Sequence, residues 1–189
     1  METLIRSIYA GFMIGIGGIV YLSLENKIVG SLLFSFGLLT IVTRGYNLYT
    51  GKVGFIKEVK DIPYMIKIII GNFIGTYLVA SMIQLTNINI SAVNICKAKL
   101  SMQYEALFIA SVFCGAMMYL AVANYFKAKN IIFIVAPVMI FILCGYEHSI
   151  ANMFYFSLAN MWSAETIVRI LLMIVGNGIG ANAMRIYEV

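Results

Sequence analysis

The stretch Gly145–Asn152 reads GYEHSIAN, and it sets an acid beside the one histidine of the chain inside a strongly apolar segment. One hundred residues earlier, the stretch Gly45–Lys52 reads GYNLYTGK near the end of another apolar segment. A second pair of strings follows in the same order, with GNFIG beginning at Gly71 and GNGIG beginning at Gly176. Two matched pairs in one order indicate an internal repeat, whereas a single short glycine motif would indicate nothing.

The composition predicts an integral membrane protein. The chain is 62% hydrophobic and 11% charged, with a mean hydropathy of +0.94, and a soluble domain of 189 residues could not bury that much apolar surface. About six apolar runs are long enough to cross a bilayer, and the connections between them are short. These runs are Leu4–Leu24, Gly30–Leu48, Pro63–Leu85, Gln103–Lys127, Ile131–Tyr155 and Glu165–Ile186. We therefore expect a single transmembrane domain over residues 1–189.

The positions of the motifs predict two halves of opposite orientation, at approximately residues 1–85 and 103–189. An odd number of spans separates each motif from its copy, so the copies would enter the membrane from opposite sides. Inverted repeats place interrupted helices at a shared midplane site in many transporters. The expected fold is therefore an all-α membrane protein with six transmembrane helices in two inverted three-helix repeats, the second and fifth helices being interrupted by loops.

The net charge of +5 does not indicate a nucleic-acid partner, because the basic residues form no cluster. They lie mostly at span ends, where an excess of Lys and Arg marks the cytoplasmic side. We expect a multi-pass protein of the inner or plasma membrane with both termini in the cytoplasm. The predicted cytoplasmic residues are Arg6, Lys52, Lys57, Lys60, Lys67, Lys127, Lys129 and Arg185, and the predicted outer residues are Lys27, Lys97, Lys99 and Arg169.

Catalytic and metal chemistry lack the residues they need. A metal site normally takes three or four ligands, and this chain has one histidine and the scattered cysteines Cys96, Cys114 and Cys144. A serine nucleophile would need an exposed elbow motif and an orienting acid. We expect no enzyme, no metal and no cofactor.

His148 is a candidate polar binding group for a solute that crosses a pore. A charged side chain at the bilayer centre costs about 2.5–3.5 kcal/mol on insertion scales, so such residues are usually functional. Histidine titrates near neutral pH and could donate a hydrogen bond or a proton to a passing anion. Glu147 would point about 100° away on a helix. We assign His148 to the pore and Glu147 to structural support, as an acceptor of hydrogen bonds from loop amides. The alternative for His148 is a core histidine bonded to a backbone carbonyl.

These residues resemble a known family. PVMIFILCGYEHSIANMF (Pro137–Phe154) resembles the signature of the formate/nitrite transporter family, and GSLLFSFGLLTIVTRGYNLYTGK (Gly30–Lys52) resembles the family's second span with its Leu-Phe-Thr-Gly loop. AGFMIGIGGIVYLS, GNFIG and GNGIG fit its first, third and sixth spans. The resemblance implies an aquaporin-like protomer, assembled as a homopentamer in the lipid bilayer, that passes small monovalent weak-acid anions such as formate, nitrite, hydrosulfide and lactate.

The resemblance also implies roles for individual residues. His148 matches the central pore histidine, Asn152 the asparagine that supports it, and Thr50 the threonine of the re-entrant loop. Lys99 falls where the family has a vestibule lysine. The apolar constrictions on either side of the histidine match Phe34, Leu38, Leu48 and Phe141.

Four positions depart from the family's pattern. Tyr49 replaces the usual phenylalanine of the loop and would add a hydroxyl at a constriction. Asn47, which we expect to support the loop, stands where the family has an acidic or polar residue. Gly115 stands where an asparagine is frequent, and Ala106 where a glutamate is frequent.

The expected mechanism follows from the cost of moving an anion past apolar rings, which is several kcal/mol or more. We expect Lys99 to concentrate anions in the outer vestibule. The anion would then gain a proton or a strong hydrogen bond at His148 and cross as the neutral acid. Two alternatives remain: a facilitator of neutral solutes such as water, glycerol or urea, and an accessory subunit that transports nothing.

Overall fold

The computed structural model describes residues 1–56 and 58–185, and within them the chain forms nine α-helices and no strands. Two short 3₁₀ turns, Val53–Phe55 and Val59–Asp61, follow the third helix. The helices are α1 Glu2–Ser23, α2 Lys27–Arg44, α3 Tyr49–Lys52, α4 Ile62–Gln84, α5 Val93–Ser101, α6 Tyr104–Ala128, α7 Ile132–Leu143, α8 Ser149–Leu158 and α9 Ala164–Arg185.

The helices confirm the predicted spans. Helices α1, α2, α4, α6 and α9 are long and apolar enough to cross a membrane. The predicted fifth span is divided into α7 and α8, as expected for an interrupted helix. The loop before α6, whose conformation the sequence left open, contains α5. The predicted end of the sixth span, Ile186, and the predicted cytoplasmic Lys57 lie outside the described residues.

The two helix breaks have the same backbone geometry. Gly45 ends α2 and Gly145 follows α7, with left-handed φ angles of 67° and 72° that glycine adopts without strain. The N–H groups of Tyr46 and Tyr146 reach back to the carbonyls of Ile41 and Phe141 at 2.9 and 2.8 Å. This pattern of glycine and reach-back bond is the Schellman motif, which satisfies carbonyls that a helix end would leave unpaired.

Two asparagines pair the backbone that remains open at the breaks. Asn72 of α4 donates from Nδ2 to the carbonyls of Ser7 and Asn47, both at 2.8 Å, and its Oδ1 accepts the N–H of Tyr49 at 2.9 Å. All of these groups lie where water cannot replace the bonds, since Asn72 is completely buried.

Asn177 of α9 repeats the arrangement in the second half. Its Nδ2 donates to the carbonyls of Ser111 and Glu147 at 2.8 Å, and its Oδ1 accepts the N–H of Ser149 at 2.9 Å. The asparagines are the second letters of GNFIG and GNGIG, so the repeated motif places one at each break.

Glycines let the helices that carry these asparagines approach their neighbours closely. Helix α1 packs against α4, and α6 packs against α9 in the same way. A Cβ at Gly11 would overlap the backbone of Asn72, and a Cβ at Gly115 would overlap the backbone of Asn177. The departure at Gly115 therefore has a steric reason, because no side chain fits there. Small residues at such crossings are typical of membrane helices.

We predict that replacing either asparagine destabilises the membrane fold. Asn177→Leu removes both donors and the acceptor, and each buried backbone group left unpaired costs about 1–3 kcal/mol. The detergent-solubilised variant should lose a large part of the unfolding free energy of the parent, measured by thermal or denaturant melting, and Asn72→Leu should behave alike.

Asn94→Leu is the matched control, because Asn94 lies exposed on α5. It should change the melting curve little. An Asn177→Leu protein as stable as this control would contradict the role of the asparagine.

Candidate permeation site

Two cavities enter the protein beside the two helix breaks. The first, the Lys52 cavity, has a volume of about 270 Å³, and the second, the His148 cavity, about 150 Å³. Their linings correspond with an offset of one hundred residues. The corresponding residues are Ile41, Val42, Gly45, Tyr46, Leu48, Gly51, Lys52 and Phe55 in the first cavity and Phe141, Ile142, Gly145, Tyr146, His148, Ala151, Asn152 and Tyr155 in the second.

The two cavities are thus the equivalent spaces of the two repeats. The opposite orientation of the repeats that the sequence predicts would make the cavities openings on opposite sides of the membrane. A path between them has to pass the segments that begin α3 and α8.

His148 and Thr50 meet between these segments. Nε2 of His148 lies 2.9 Å from the hydroxyl oxygen of Thr50, and both side chains are buried. Nδ1 of His148 accepts the N–H of Ala151 at 3.1 Å, so the imidazole caps the N-terminus of α8. Because Nδ1 accepts, Nε2 carries the proton of the neutral ring and donates it to Thr50. The sequence prediction that His148 and Thr50 share one site fits this geometry.

Glu147 is buried and held by two side chains. Its Oε2 accepts from Nζ of Lys99 at 2.6 Å and from Nδ2 of Asn152 at 2.7 Å. The donors are thus side chains of α5 and α8 and not the loop amides that the sequence analysis gave as an example, while the structural role of Glu147 stays a prediction. Helix α5 brings an ammonium group to the carboxylate, which a buried acid binds more strongly than a neutral amide.

Lys99 lines the His148 cavity, but its charge is compensated. The ion pair with Glu147 sums to zero charge, which weakens the attraction of distant anions that the sequence analysis expects of Lys99. Arg169 fixes the end of α5 by donating to the carbonyls of Lys99 and Met102 at 3.0 and 2.8 Å. Sequence analysis identified Arg169 only as an outer charge and missed this contact.

Apolar side chains border both cavities. Phe34 and Phe141 line the His148 cavity, with an edge-to-face contact of 6.2 Å between ring centroids, and Phe141 lies 5.5 Å from the imidazole. Leu38 and Leu48 line the Lys52 cavity and are buried. Four of the five predicted constriction residues therefore lie two on each cavity.

Tyr49 does not bring its hydroxyl to a constriction. The phenol turns toward α9 and donates to the carbonyl of Ile174 at 2.9 Å, and the residue lines neither cavity. The sequence expectation is corrected here: the added oxygen ties α3 to α9. Gly178 leaves room for it, because a Cβ there would lie 3.0 Å from the Tyr49 oxygen.

Other predicted residues take peripheral positions. Asn47 donates from Nδ2 to the carbonyl of Thr3 at 3.4 Å, and its Oδ1 accepts from the hydroxyl of Tyr64 at 3.5 Å. Ala106 is exposed on α6. Within residues 1–56 and 58–185, no group of three or more His, Cys, Asp or Glu side chains is placed to hold a metal ion.

Sequence analysis missed three residues that build the site. Asn72 and Asn177 were visible in the repeated GN pair, but the pair alone does not tell which backbone groups its amide would meet. Lys52 was counted only among the basic residues at span ends. The hundred-residue offset could have identified it, because it aligns Lys52 with Asn152.

Comparison with known proteins gives one family. A model of the formate/nitrite transporter family matches residues 1–186. The formate channel FocA of Haemophilus influenzae is 26% identical over 149 residues, which cover 68% of this chain and 52% of that protein. The uncharacterised transporter YrhG of Bacillus subtilis is 27% identical over 179 residues, covering 82% of this chain and 67% of that protein. This chain thus spans about half of the FocA protein and two thirds of YrhG.

Solved structures give the same fold. A pentameric formate channel with formate bound superposes with a TM-score of 0.85 at 21% identity, covering 96% of this chain and 92% of that one. An ion channel of the same family gives a TM-score of 0.81 at 21% identity, covering 98% and 86%. The expected all-α, aquaporin-like fold of six spans is confirmed.

We predict that Tyr49→Phe changes stability modestly and transport little. The variant loses one hydrogen bond, which contributes about 0.5–1.5 kcal/mol, and exposes nothing new to either cavity. Thermal melting and solute flux in proteoliposomes measure the two effects. A large gain or loss of flux with unchanged melting would mean that the hydroxyl faces the permeating solute.

Proposed function

This chain belongs to the formate/nitrite transporter family, and from that premise we propose that it conducts small monovalent anions of weak acids across the membrane. The substrate class comprises formate, nitrite, hydrosulfide, lactate and species of similar size. The observation that carries the proposal is the buried contact of His148 with Thr50 between two apolar borders.

The apolar borders reject a bare charge. An anion that leaves water for the space between Phe34, Phe141, Leu38 and Leu48 loses its hydration, at a cost of several kcal/mol or more. The neutral acid of the same shape avoids most of this cost. Permeation is therefore fastest for solutes that can take up a proton near the site and release it on the far side.

His148 acts in this proposal as a hydrogen-bond donor. Its Nδ1 accepts the N–H of Ala151. The second ring proton of a charged imidazolium would have to sit on Nδ1, and it would break this cap of α8. The Nε2 proton, which Thr50 accepts in this structure, turns to the oxygen or sulfur of the substrate when the substrate enters, and the hydroxyl of Thr50 is then a second donor to it. The proton that neutralises the substrate comes from the external solution and is relayed through cavity water, so that no hydroxide is left in the cavity. Lys99, which lines the same cavity, donates to the arriving anion while it stays paired with Glu147.

Assembly and orientation complete the proposal. The similarity to a pentameric channel at a TM-score of 0.85 supports a homopentamer with one pore in each protomer. The distribution of basic residues supports an inner or plasma membrane location with both termini cytoplasmic, in which case the Lys52 cavity opens to the cytoplasm. We propose that residues 1–189 act as one transmembrane channel domain with repeats at about 1–85 and 103–189.

We predict that purified protein in proteoliposomes carries formate, nitrite, hydrosulfide or lactate faster at lower external pH, because acid increases the neutral fraction. Flux of each anion is measured at two pH values beside urea and glycerol. Flux of urea or glycerol alone would indicate a neutral-solute facilitator, and absence of all flux from a folded, reconstituted protein would favour an accessory subunit.

We predict that His148→Asn lowers anion flux by about 10–100-fold, the equivalent of one hydrogen bond to a charged group. Asparagine is a good N-cap residue and can keep the bond to Ala151, so the variant should fold, but it lacks the Nε2 donor. Ser149→Ala is the neighbouring control, since the Ser149 hydroxyl has no hydrogen-bond partner among the described residues. Equal flux and pH dependence in the two variants would refute the role of His148.

A further inference from the structure

Lys52 is a cation in an apolar cavity, and no ion-pair partner for it lies among the residues that the structure describes. It lines the Lys52 cavity beside Leu48, Gly51 and Phe55. Among residues 1–56 and 58–185, the ion pairs closer than 4.0 Å join other groups, and none involves the Lys52 ammonium. Asp61 lies across a neighbouring space of about 230 Å³ that Lys52 also lines, and it accepts from the N–H of Glu58 at 3.4 Å.

The two repeats differ in charge at equivalent positions. In the second repeat, Glu147 is an acid, and Asn152, five residues later, donates to it. In the first repeat, the equivalent residues are Asn47 and Lys52, so an amide replaces the acid and an ammonium group replaces the amide. The two positions together therefore sum to a charge of +1 in the first repeat and −1 in the second.

Only the second repeat has its charge compensated. Lys99 reaches Glu147 from α5 at 2.6 Å and makes the His148 cavity electrically neutral. Asn47 offers Lys52 no carboxylate, and its amide oxygen instead accepts from Tyr64. The net positive charge of the two cavities thus lies in the Lys52 cavity alone, within the part of the chain that the structure describes.

We infer that Lys52 binds the permeating anion, and that the Lys52 cavity is the side of the protein with the higher affinity for it. The inference rests on the proposed function and specifies how the two entrances differ. The ligand is the small monovalent anion of the proposed function, such as formate, because a single ammonium group supplies one positive charge in a cavity otherwise bordered by apolar residues such as Leu38 and Leu48.

The location explains what the lysine would contribute. An anion bound to Lys52 would lie next to Leu48, which lines the same cavity. Thr50, two residues after Leu48 in the chain, contacts His148. One short segment therefore carries the constriction, the charge and the hydroxyl. A cation in a low-dielectric cleft raises the local concentration of anions, and salt screens this attraction where the cleft is open to water.

Thermodynamics limits how Lys52 can change the transport kinetics. A passive pore cannot change the equilibrium distribution, so the ratio of maximal rate to half-saturating concentration is equal for both directions at zero voltage. Tighter binding at Lys52 therefore lowers the half-saturating formate concentration on that side and lowers the maximal rate from that side in proportion.

The test compares formate flux from each face. Right-side-out and inside-out vesicles containing the parent, Lys52→Met, Lys52→Arg or Lys127→Met are assayed over a range of formate concentrations at low ionic strength. Lys127→Met removes the same charge from an exposed position that lines neither cavity. We expect Lys52→Met to raise the half-saturating concentration by about tenfold on one face only, Lys52→Arg to restore it, and Lys127→Met to leave it unchanged.

Added salt of an impermeant anion should reduce the difference between parent and Lys52→Met. Equal half-saturating concentrations for Lys52→Met and Lys127→Met on both faces would overturn the inference while leaving the proposed function intact.

If no flux is found, a binding measurement tests the anion site at Lys52 separately from the proposed channel function. Formate should raise the melting temperature of the detergent-solubilised parent and of Lys52→Arg at lower concentrations than it does for Lys52→Met. Such a difference without any transport would support Lys52 as the anion site and reject the channel function. Identical formate dependence in parent and Lys52→Met would refute the site.

Discussion

The fold depends on pairing the backbone of two helices that end inside the membrane. Peptide groups in contact with lipid have no water to bond, so an interrupted helix is tolerated only where it is buried in protein or lines a water-filled cavity. The Schellman bonds at Gly45 and Gly145 satisfy the ends of α2 and α7, and the side chains of Asn72 and Asn177 satisfy the segments that follow. With these groups paired, the intervening residues can present chemistry to a cavity, and the histidine that caps α8 is one of them.

The two repeats have the same backbone geometry but different side chains, so the Lys52 cavity and the His148 cavity differ in charge and hydrogen-bonding groups. The residues at 45 and 46 repeat at 145 and 146, whereas 47, 48 and 52 differ from 147, 148 and 152. The two repeats share the backbone geometry of the break and the asparagine that pairs it, and they differ in several side chains at the break. In the second repeat the differing positions supply an imidazole and a carboxylate that pairs with Lys99, and in the first they supply leucine and an ammonium group with no ion-pair partner among the described residues.

The sequence predicted the helices well because the physics of spans is local. Length, apolarity and a glycine at each break suffice to place six spans and two interruptions, and the family resemblance added the aquaporin-like arrangement. Partner identities were harder. The contact of Lys99 with Glu147 depends on how α5 folds back, and the direction of the Tyr49 phenol depends on the space left by Gly178. Neither distance along the chain nor residue type contains that information.

The close fit of Tyr49 against Gly178 also restricts how this protein can change over evolutionary time. A larger residue at 178 would meet the phenol oxygen, so that change becomes accessible once position 49 carries a smaller ring. Reverting to tyrosine would then be disfavoured, because the phenol oxygen would lie about 3.0 Å from the new Cβ. The two positions, 129 residues apart, are thus subject to epistasis, and the order of substitutions along a lineage decides which combinations it can reach.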